Sequence, residues 1–383
     1  LENLIIHVVE DVLSDPRAQK LERELVAALD LMSQKLDRNR RRPWAWDTRR
    51  ERWIPQTSST KLTDLEKICL PELKYFIDGY KTTHQSFERK AARQAERHPP
   101  YRVKVAVIDN GVVLVGNNAK SSICAQIRDG QSFVLKGAEV QPWWHAIGPH
   151  GTQMTSLICA IDPCCEIFIA RVGDSDNSGV TPRRLARAIR WAIKKQVDVI
   201  SISIALTLSH PKLDTAVSDA VNSGIAVICS TTDNLSSGER TYPAQMLGTI
   251  SVAACDKYGR MLNWSKEEKK SYRINGKDVL AGTVPYVASE ERITGNSVAT
   301  AIAAGLGSLI LSCCRLVERK EDPKNLIENY FKGMTLDPKL QYIEPKALFS
   351  KQGLEQGYQE PKEQFDVWTR IVEKFGGDTG WKN

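Results

Sequence analysis

The chain has 383 residues, 42% of them apolar and 26% charged, with a formal net charge of +7. That is the composition of a soluble globular protein, long enough to bury a large core in one or two domains. No apolar run reads as a bilayer crossing, no repeat or low-complexity tract appears, and the positive charge is spread rather than concentrated.

Residues 1–100 are expected to form a helical arm or linker. Leu21, Leu25, Ala28, Leu29, Met32 and Leu36 recur at helical spacing and give one apolar stripe. Further helices are expected over Leu65–Tyr80 and Phe87–Arg97, and Pro99 and Pro100 close the zone. Leu1–Leu36 carries charge throughout and lacks the order of a signal peptide. The chain begins with Leu rather than Met, so further domains of a longer chain are expected partners. The one dense basic run, Arg38–Arg42 with Arg49, Arg50 and Arg52, is interleaved with Trp44, Trp46 and Trp53. Such a mixture suits single-stranded nucleic acid, but a solvated linker anchored by its tryptophans is the preferred reading, and no nucleic-acid partner is expected.

From about 101 to 316 the pattern changes. Short β-branched runs, Val103–Ile108, Ile167–Val172, Val197–Ile204, Ile225–Cys229 and Thr249–Ala253, alternate with helical stretches at Thr152–Ile161, Pro182–Gln196 and Lys212–Ser223. Near-continuous apolar strands alternating with helices predict an α/β fold, a doubly wound parallel sheet covered on both faces. Function is expected at the carboxyl ends of its strands. Residues 317–383 mix charged helical stretches with turn signals, and are expected to be a C-terminal extension packing on the middle domain. The nine cysteines include no CxxC, so zinc-ligand spacing is absent, and their core-like settings predict free thiols in a reducing, cytoplasmic compartment.

Three segments carry chemistry. Val105-Ala106-Val107-Ile108-Asp109-Asn110-Gly111 ends a buried strand on an acid able to orient a histidine. Pro149-His150-Gly151-Thr152 precedes an apolar helix, whose N-terminus disfavours imidazolium and suits a base that starts neutral. Thr294-Gly295-Asn296-Ser297-Val298-Ala299-Thr300 opens a helix of small residues and suits an exposed nucleophile. Taken singly, each has an ordinary alternative: a turn aspartate, a loop histidine, an N-cap serine.

Their order, Asp then His then Ser, is the subtilisin order, and over about 101–316 the chain resembles the subtilisin-like (S8) serine proteases. The resemblance implies a subtilisin-like fold and an intracellular serine endopeptidase acting on polypeptides, with Asp109, His150 and Ser297 as its triad. Val199–Ala205 resembles the strand that pairs with the substrate backbone, which implies Ser201, Ser203, Ile204 and Ala205 as substrate-binding residues. Val227–Asn234 resembles the segment ending in the oxyanion-hole asparagine, which implies Asn234 for that role and Thr231 and Thr232 beside the substrate. Tyr242-Pro243-Ala244 and Ile250–Ala254 resemble the next loop and strand. The helical arm resembles that of fungal multidomain proteins. No cofactor or metal is expected: calcium sites are common in the family, but no acidic loop matches one. The chain departs from the family at Asn296, where Thr is usual, at Ala301, where Pro is usual, at Gln153, where many have His, and at Asp233, where Gly is common. These departures motivate an alternative, a subtilase fold that binds peptides and turns over poorly.

Overall fold

The β-branched runs of the middle zone come together as one parallel sheet in a computed structural model of the chain. The structure describes residues 44–47, 52–55, 70, 73–93, 102–114, 122–136, 139–174, 179–232, 240–262, 271–284, 287–335, 340–349 and 367–376. The Leu21–Leu36 stripe and both Asp233 and Asn234 therefore lie outside the described residues. Two compact units are distinguished, residues 1–64 with 114–120 and residues 65–113 with 121–383.

In the first unit, β1 (Trp44–Asp47) and β2 (Arg52–Pro55) form an antiparallel hairpin with Trp46 opposite Trp53. It occupies the Arg/Trp segment.

The second unit opens with α1 (Lys74–Arg93), so this unit includes residues that precede the boundary expected near residue 100. Instead of two helices broken after Tyr80, one helix runs through the polar stretch 81–86. The Thr82 and Thr83 hydroxyls bond back to the carbonyls of Asp78 and Gly79, and His84 is buried one turn beyond Tyr80. Next come β3 (Lys104–Asp109), a short α2 (Ser122–Gln126), β4 (Ile127–Ser132) and the small β5 (Leu135–Lys136) and β6 (Glu139–Val140) pair. They are followed by α3 (His150–Ile161), β7 (Glu166–Arg171), α4 (Pro182–Lys194), β8 (Val199–Ile202), α5 (Pro211–Asn222), β9 (Ala226–Ser230) and β10 (Ile250–Cys255). β11 (Tyr272–Asn275), the paired β12 (Val279–Leu280) and β13 (Arg292–Ile293), α6 (Asn296–Leu316), α7 (Pro323–Gly333), α8 (Lys346–Phe349) and α9 (Val367–Phe375) complete the described elements.

The sheet has seven strands in the order β11-β10-β9-β8-β3-β7-β4, all neighbours parallel. β3, β8 and β9 are buried along almost their whole length, as expected where both faces are covered. α4 and α5 cover one face, packing Leu185, Ile189, Ala216 and Ala220 on Ile108, Ile200, Ile202 and Val227. α3 and α6 pack on each other, and α6 runs against β8, β9 and β10. The sequence reading found no bilayer-length run, yet Asn296–Leu316 meets that test on length and hydropathy. Its Ala and Gly residues hid it, and it is a buried core helix, 94% of its apolar window lying inside the fold. The last zone folds back on the same unit, with ring contacts Phe76–Phe349 at 4.9 Å and Phe87–Trp368 at 5.1 Å.

Candidate active site

β3 ends in Asp109 at the carboxyl edge of the sheet, between β7 and β8. Its side chain is 2% exposed, and Oδ1 accepts the Asn110 amide at 2.7 Å and faces His150 Nδ1 at 2.8 Å. The imidazole is 31% exposed, so one edge is anchored in the fold while the ring reaches toward the surface. With Asp109 ionised, Nδ1 carries the ring proton and Nε2 is left as the basic nitrogen.

His150 is the first residue of α3, following Pro149. The Gly151 amide donates to Asn110 Oδ1 at 2.8 Å. A Cβ on Gly151 would stand 2.2 Å from the Gly111 carbonyl oxygen, so only glycine lets the helix start this close to the Asp109–Gly111 turn. Thr152 Oγ1 accepts the Val113 amide at 2.9 Å. The Gln153 amide group donates to the carbonyls of Gly282 and Glu290 at 2.9 and 2.7 Å, tying α3 to the segment before β13. Gln153, expected from the sequence as a departure, thus serves here as a bridging amide.

Arg171 is cross-strand neighbour to Asp109 and is 1% exposed. Its Nη1 donates to the carbonyls of Pro142 and His145, both at 2.8 Å, and its Nη2 stands 3.7 Å from Asp174. Burial lowers its pKa, and the Asp174 carboxylate opposes that shift. The loop it holds also pairs with the Asp109 turn, through Val112 N to Trp143 O at 2.9 Å and Ala146 N to Val112 O at 3.1 Å. That loop runs directly into His150. The sequence reading missed Arg171, although a single charge inside the apolar run Ile167–Val172 was a signal for it.

Ser297 is the second residue of α6 and is half-buried. Its Oγ donates to the carbonyl of Ser203 at 3.3 Å, and Ser203 Oγ faces the Ser297 carbonyl at 3.4 Å. Asn296, one of the departures, is 4% exposed and accepts the Ala254 amide on Oδ1 at 2.6 Å, fastening the start of α6 to β10.

The other expected residues separate into two groups. Ser203, Ile204 and Ala205 follow β8 beside Ser297, whereas Ser201 lies within β8, paired on both sides and 1% exposed. Thr231 and Thr232 follow β9 at the same edge of the sheet. Thr231 is buried and its amide donates to Val252 O at 3.1 Å, while Thr232 is half-buried. No group of three His, Cys, Asp or Glu side chains able to hold a metal occurs among the described residues.

The family model of the subtilases, peptidase S8, matches residues 101–334. Subtilisin E of Bacillus subtilis is 31% identical over 229 residues, 55% of this chain and 55% of that protein. The thermostable alkaline protease of Halalkalibacterium halodurans is 28% identical over 222 residues, 55% of this chain and 56% of that protein. The chain thus spans about half the length of these curated relatives. Among solved structures, the prenylagaramide maturation protease PagA is similar, with a TM-score of 0.52 and 22% identity over 67% of this chain and 96% of that one. The patellamide maturation protease PatA also has a TM-score of 0.52 and 22% identity, over 64% of this chain and 95% of that one. At such identities these two structures bear on the fold alone, and the sheet with its flanking helices is of that kind. With well over half of its length matched by the family model, the chain belongs to the subtilase family of peptidases.

Proposed function

We propose that this chain is a serine endopeptidase that hydrolyses peptide bonds through Asp109, His150 and Ser297. The observation that carries the reading is the buried Asp109 carboxylate held 2.8 Å from His150 Nδ1, at the same sheet edge where α6 presents Ser297. His150 Nε2 takes the Ser297 proton as Oγ attacks the scissile carbonyl. The imidazolium then returns that proton to the leaving amine, and Asp109 holds the tautomer and stabilises the cation throughout. Water repeats the sequence on the acyl-enzyme and releases the acid.

Asn234, with the Ser297 amide, is assigned to the oxyanion, where loss of one such donor costs roughly 10²–10³ in kcat. Ser203, Ile204 and Ala205 are assigned to the substrate backbone, with Thr231 and Thr232 on the opposite wall and Ser201 supporting from beneath. The alternative of a poorly turning peptide-binding module loses one motive, because Asn296 has a structural task at the start of α6. We also assign the chain to a reducing, cytoplasmic setting. The eight described cysteines are free thiols, seven of them buried, which supports that placement. A multidomain setting of fungal type, with further domains as partners, completes the proposal.

The test is labelling by a fluorophosphonate probe. Labelling of the native chain that is lost in both Ser297→Ala and His150→Ala is the expected result. A folded native chain that takes up no probe overturns the reading.

A further inference from the structure

Outside the family-matched residues, α1 places a buried tyrosine between the two helices that begin with His150 and with Asn296-Ser297. Tyr80 is 0% exposed, and its phenol oxygen lies 3.0 Å from Asp162 Oδ1 and 2.7 Å from Ser312 Oγ. Asp162 is the C-cap residue of α3, and Ser312 belongs to α6. The Ser308 hydroxyl, one turn earlier on α6, donates to Asp162 Oδ2 at 2.5 Å, and the Cys164 amide donates to Oδ1 at 3.0 Å. The backbone carbonyl of Asp162 accepts from Gln126 Nε2 at 2.9 Å. Asp162 itself is 0% exposed. A buried carboxylate is tolerated only when hydrogen-bonded, and here every donor named comes from a different element or from the adjoining turn.

The position of this cluster along the two helices matters. α3 and α6 are in close contact at Gly305, where an added Cβ would meet Ile161 Cβ at 2.9 Å and Ile158 Cα at 3.3 Å, and we take this contact as their crossing. Ser297 sits about 12 Å along α6, and His150 about 12–17 Å along α3, on one side of that crossing, at 1.5 Å rise per residue. Tyr80, Asp162, Ser308 and Ser312 lie at or beyond it on the other side. A rotation of about 5° about the crossing displaces a residue 12 Å away by about 1 Å, and misplacement by that much costs on the order of 10²-fold in rate. Packed apolar surfaces at the crossing are non-directional. Hydrogen bonds have preferred directions, so a three-way polar tie fixes an angle that packing alone leaves softer.

We propose that Tyr80 and Asp162 are positioning residues: together they set the crossing angle of α3 and α6, and through it the approach of His150 to Ser297. The inference rests on the reading of those two residues as base and nucleophile. It makes α1 a working part of the peptidase, so that whatever moves α1 changes turnover. His84, one turn on and 5.7 Å from the Tyr80 ring, and Phe87, packed on Trp368, hold the helix in place.

The test is Tyr80→Phe in the full chain, which keeps the ring and removes the hydroxyl. The rate of fluorophosphonate labelling, and kcat and KM on a fluorogenic peptide per titrated active site, are measured well below the melting temperature of each protein. The expected result is a fall of roughly tenfold in labelling rate and in kcat with KM unchanged within about twofold. A residue that only stabilises the fold lowers the melting temperature and leaves kcat per active site alone, and that outcome overturns the proposal. Should Tyr80→Phe not fold, Ser308→Ala and Ser312→Ala, which loosen the tie from the other helix, are judged by the same two readouts. A native chain that does not label at all defeats the reading of Ser297 as nucleophile. A native chain that labels while the folded variants label equally fast defeats only the positioning role.

Discussion

His150 Nδ1 faces Asp109 Oδ1 at 2.8 Å, and that same oxygen accepts the Asn110 amide at 2.7 Å. The carboxylate is thereby fixed by its own turn before it meets the ring. Asp109→Asn replaces an acceptor-only group by one that also donates, which favours the wrong imidazole tautomer. We expect kcat on a peptide substrate to fall by about 10⁴ while KM and the urea midpoint change little. Steady-state kinetics and urea unfolding of the same preparation check this, and retention of more than a tenth of the native kcat contradicts the assigned role.

Gly151→Ala tests the contact that brings the two residues together. The new methyl would sit 2.2 Å from the Gly111 oxygen and 2.7 Å from Asn110 Oδ1, so α3 must move off the turn. Overpacking of this kind costs about 1–3 kcal/mol, seen as a lower urea midpoint. Because the displaced residue is next to His150, activity is expected to fall by more than the unfolded fraction accounts for. Kinetics at a urea-free temperature where the variant is fully folded separates the two effects.

Much of this arrangement is legible in the sequence because each central residue ends a strongly patterned element. Asp109 closes a β-branched run, His150 opens an apolar helix, and Ser297 opens a helix of small residues. All are local signals in the right order. The edge strands were not legible: Ile127–Ser132 and Tyr272–Asn275 are only partly buried and carry Arg, Asp, Gln and Asn, so they read as loops. The Tyr80–Asp162 tie spans 82 positions and has no periodicity to betray it. Asn296 read as a departure from the family pattern, and its bond to the Ala254 amide, which the sequence does not show, gives it a task.

Arg171 offers a third prediction. Its guanidinium is buried and satisfies the Pro142 and His145 carbonyls in the loop that leads to His150. Arg171→Met leaves both carbonyls without that donor, at about 1–3 kcal/mol for each group left unsatisfied. A lower unfolding midpoint and a lower kcat are expected together. Arg171→Lys keeps the charge but lacks the planar fork, and is expected to fall between. Equal stability of the Met and Lys variants contradicts the clamp.

Thiol chemistry should leave the peptidase activity untouched. Burial pushes the thiols of Cys164, Cys255 and Cys314 up to about 12, and that of Cys229 higher still. At about pH 8 the reactive thiolate is therefore scarce at these four cysteines. Brief treatment with iodoacetamide is expected to modify the half-buried Cys124 before the other described cysteines, without loss of peptidase activity. Peptide mapping by mass spectrometry checks the order, and inactivation that tracks alkylation of a buried cysteine contradicts it.

The buried Asp162 gives the fold a pH dependence of definite sign. Burial raises its pKa above the ordinary carboxylate value, while the Ser308 hydroxyl, the Cys164 amide, the Tyr80 hydroxyl and the charge of His84 work against that rise. Tyr80 and Cys164 are themselves raised and stay protonated through neutral pH. A carboxyl with a raised folded pKa binds its proton more tightly in the native state than in the unfolded chain. Its contribution is therefore most favourable below about pH 4 and is lost as pH rises from there through the folded value, at up to about 1.4 kcal/mol per pH unit. Asp162→Asn has no such proton to lose. We expect the native chain's stability relative to the Asp162→Asn variant to decline from about pH 4 upward and then level off above the folded pKa of Asp162. Urea midpoints for both proteins across that range measure the difference directly. A gap that widens in favour of the native chain as pH rises means that the carboxylate's hydrogen bonds outweigh its burial, and reverses the assigned shift.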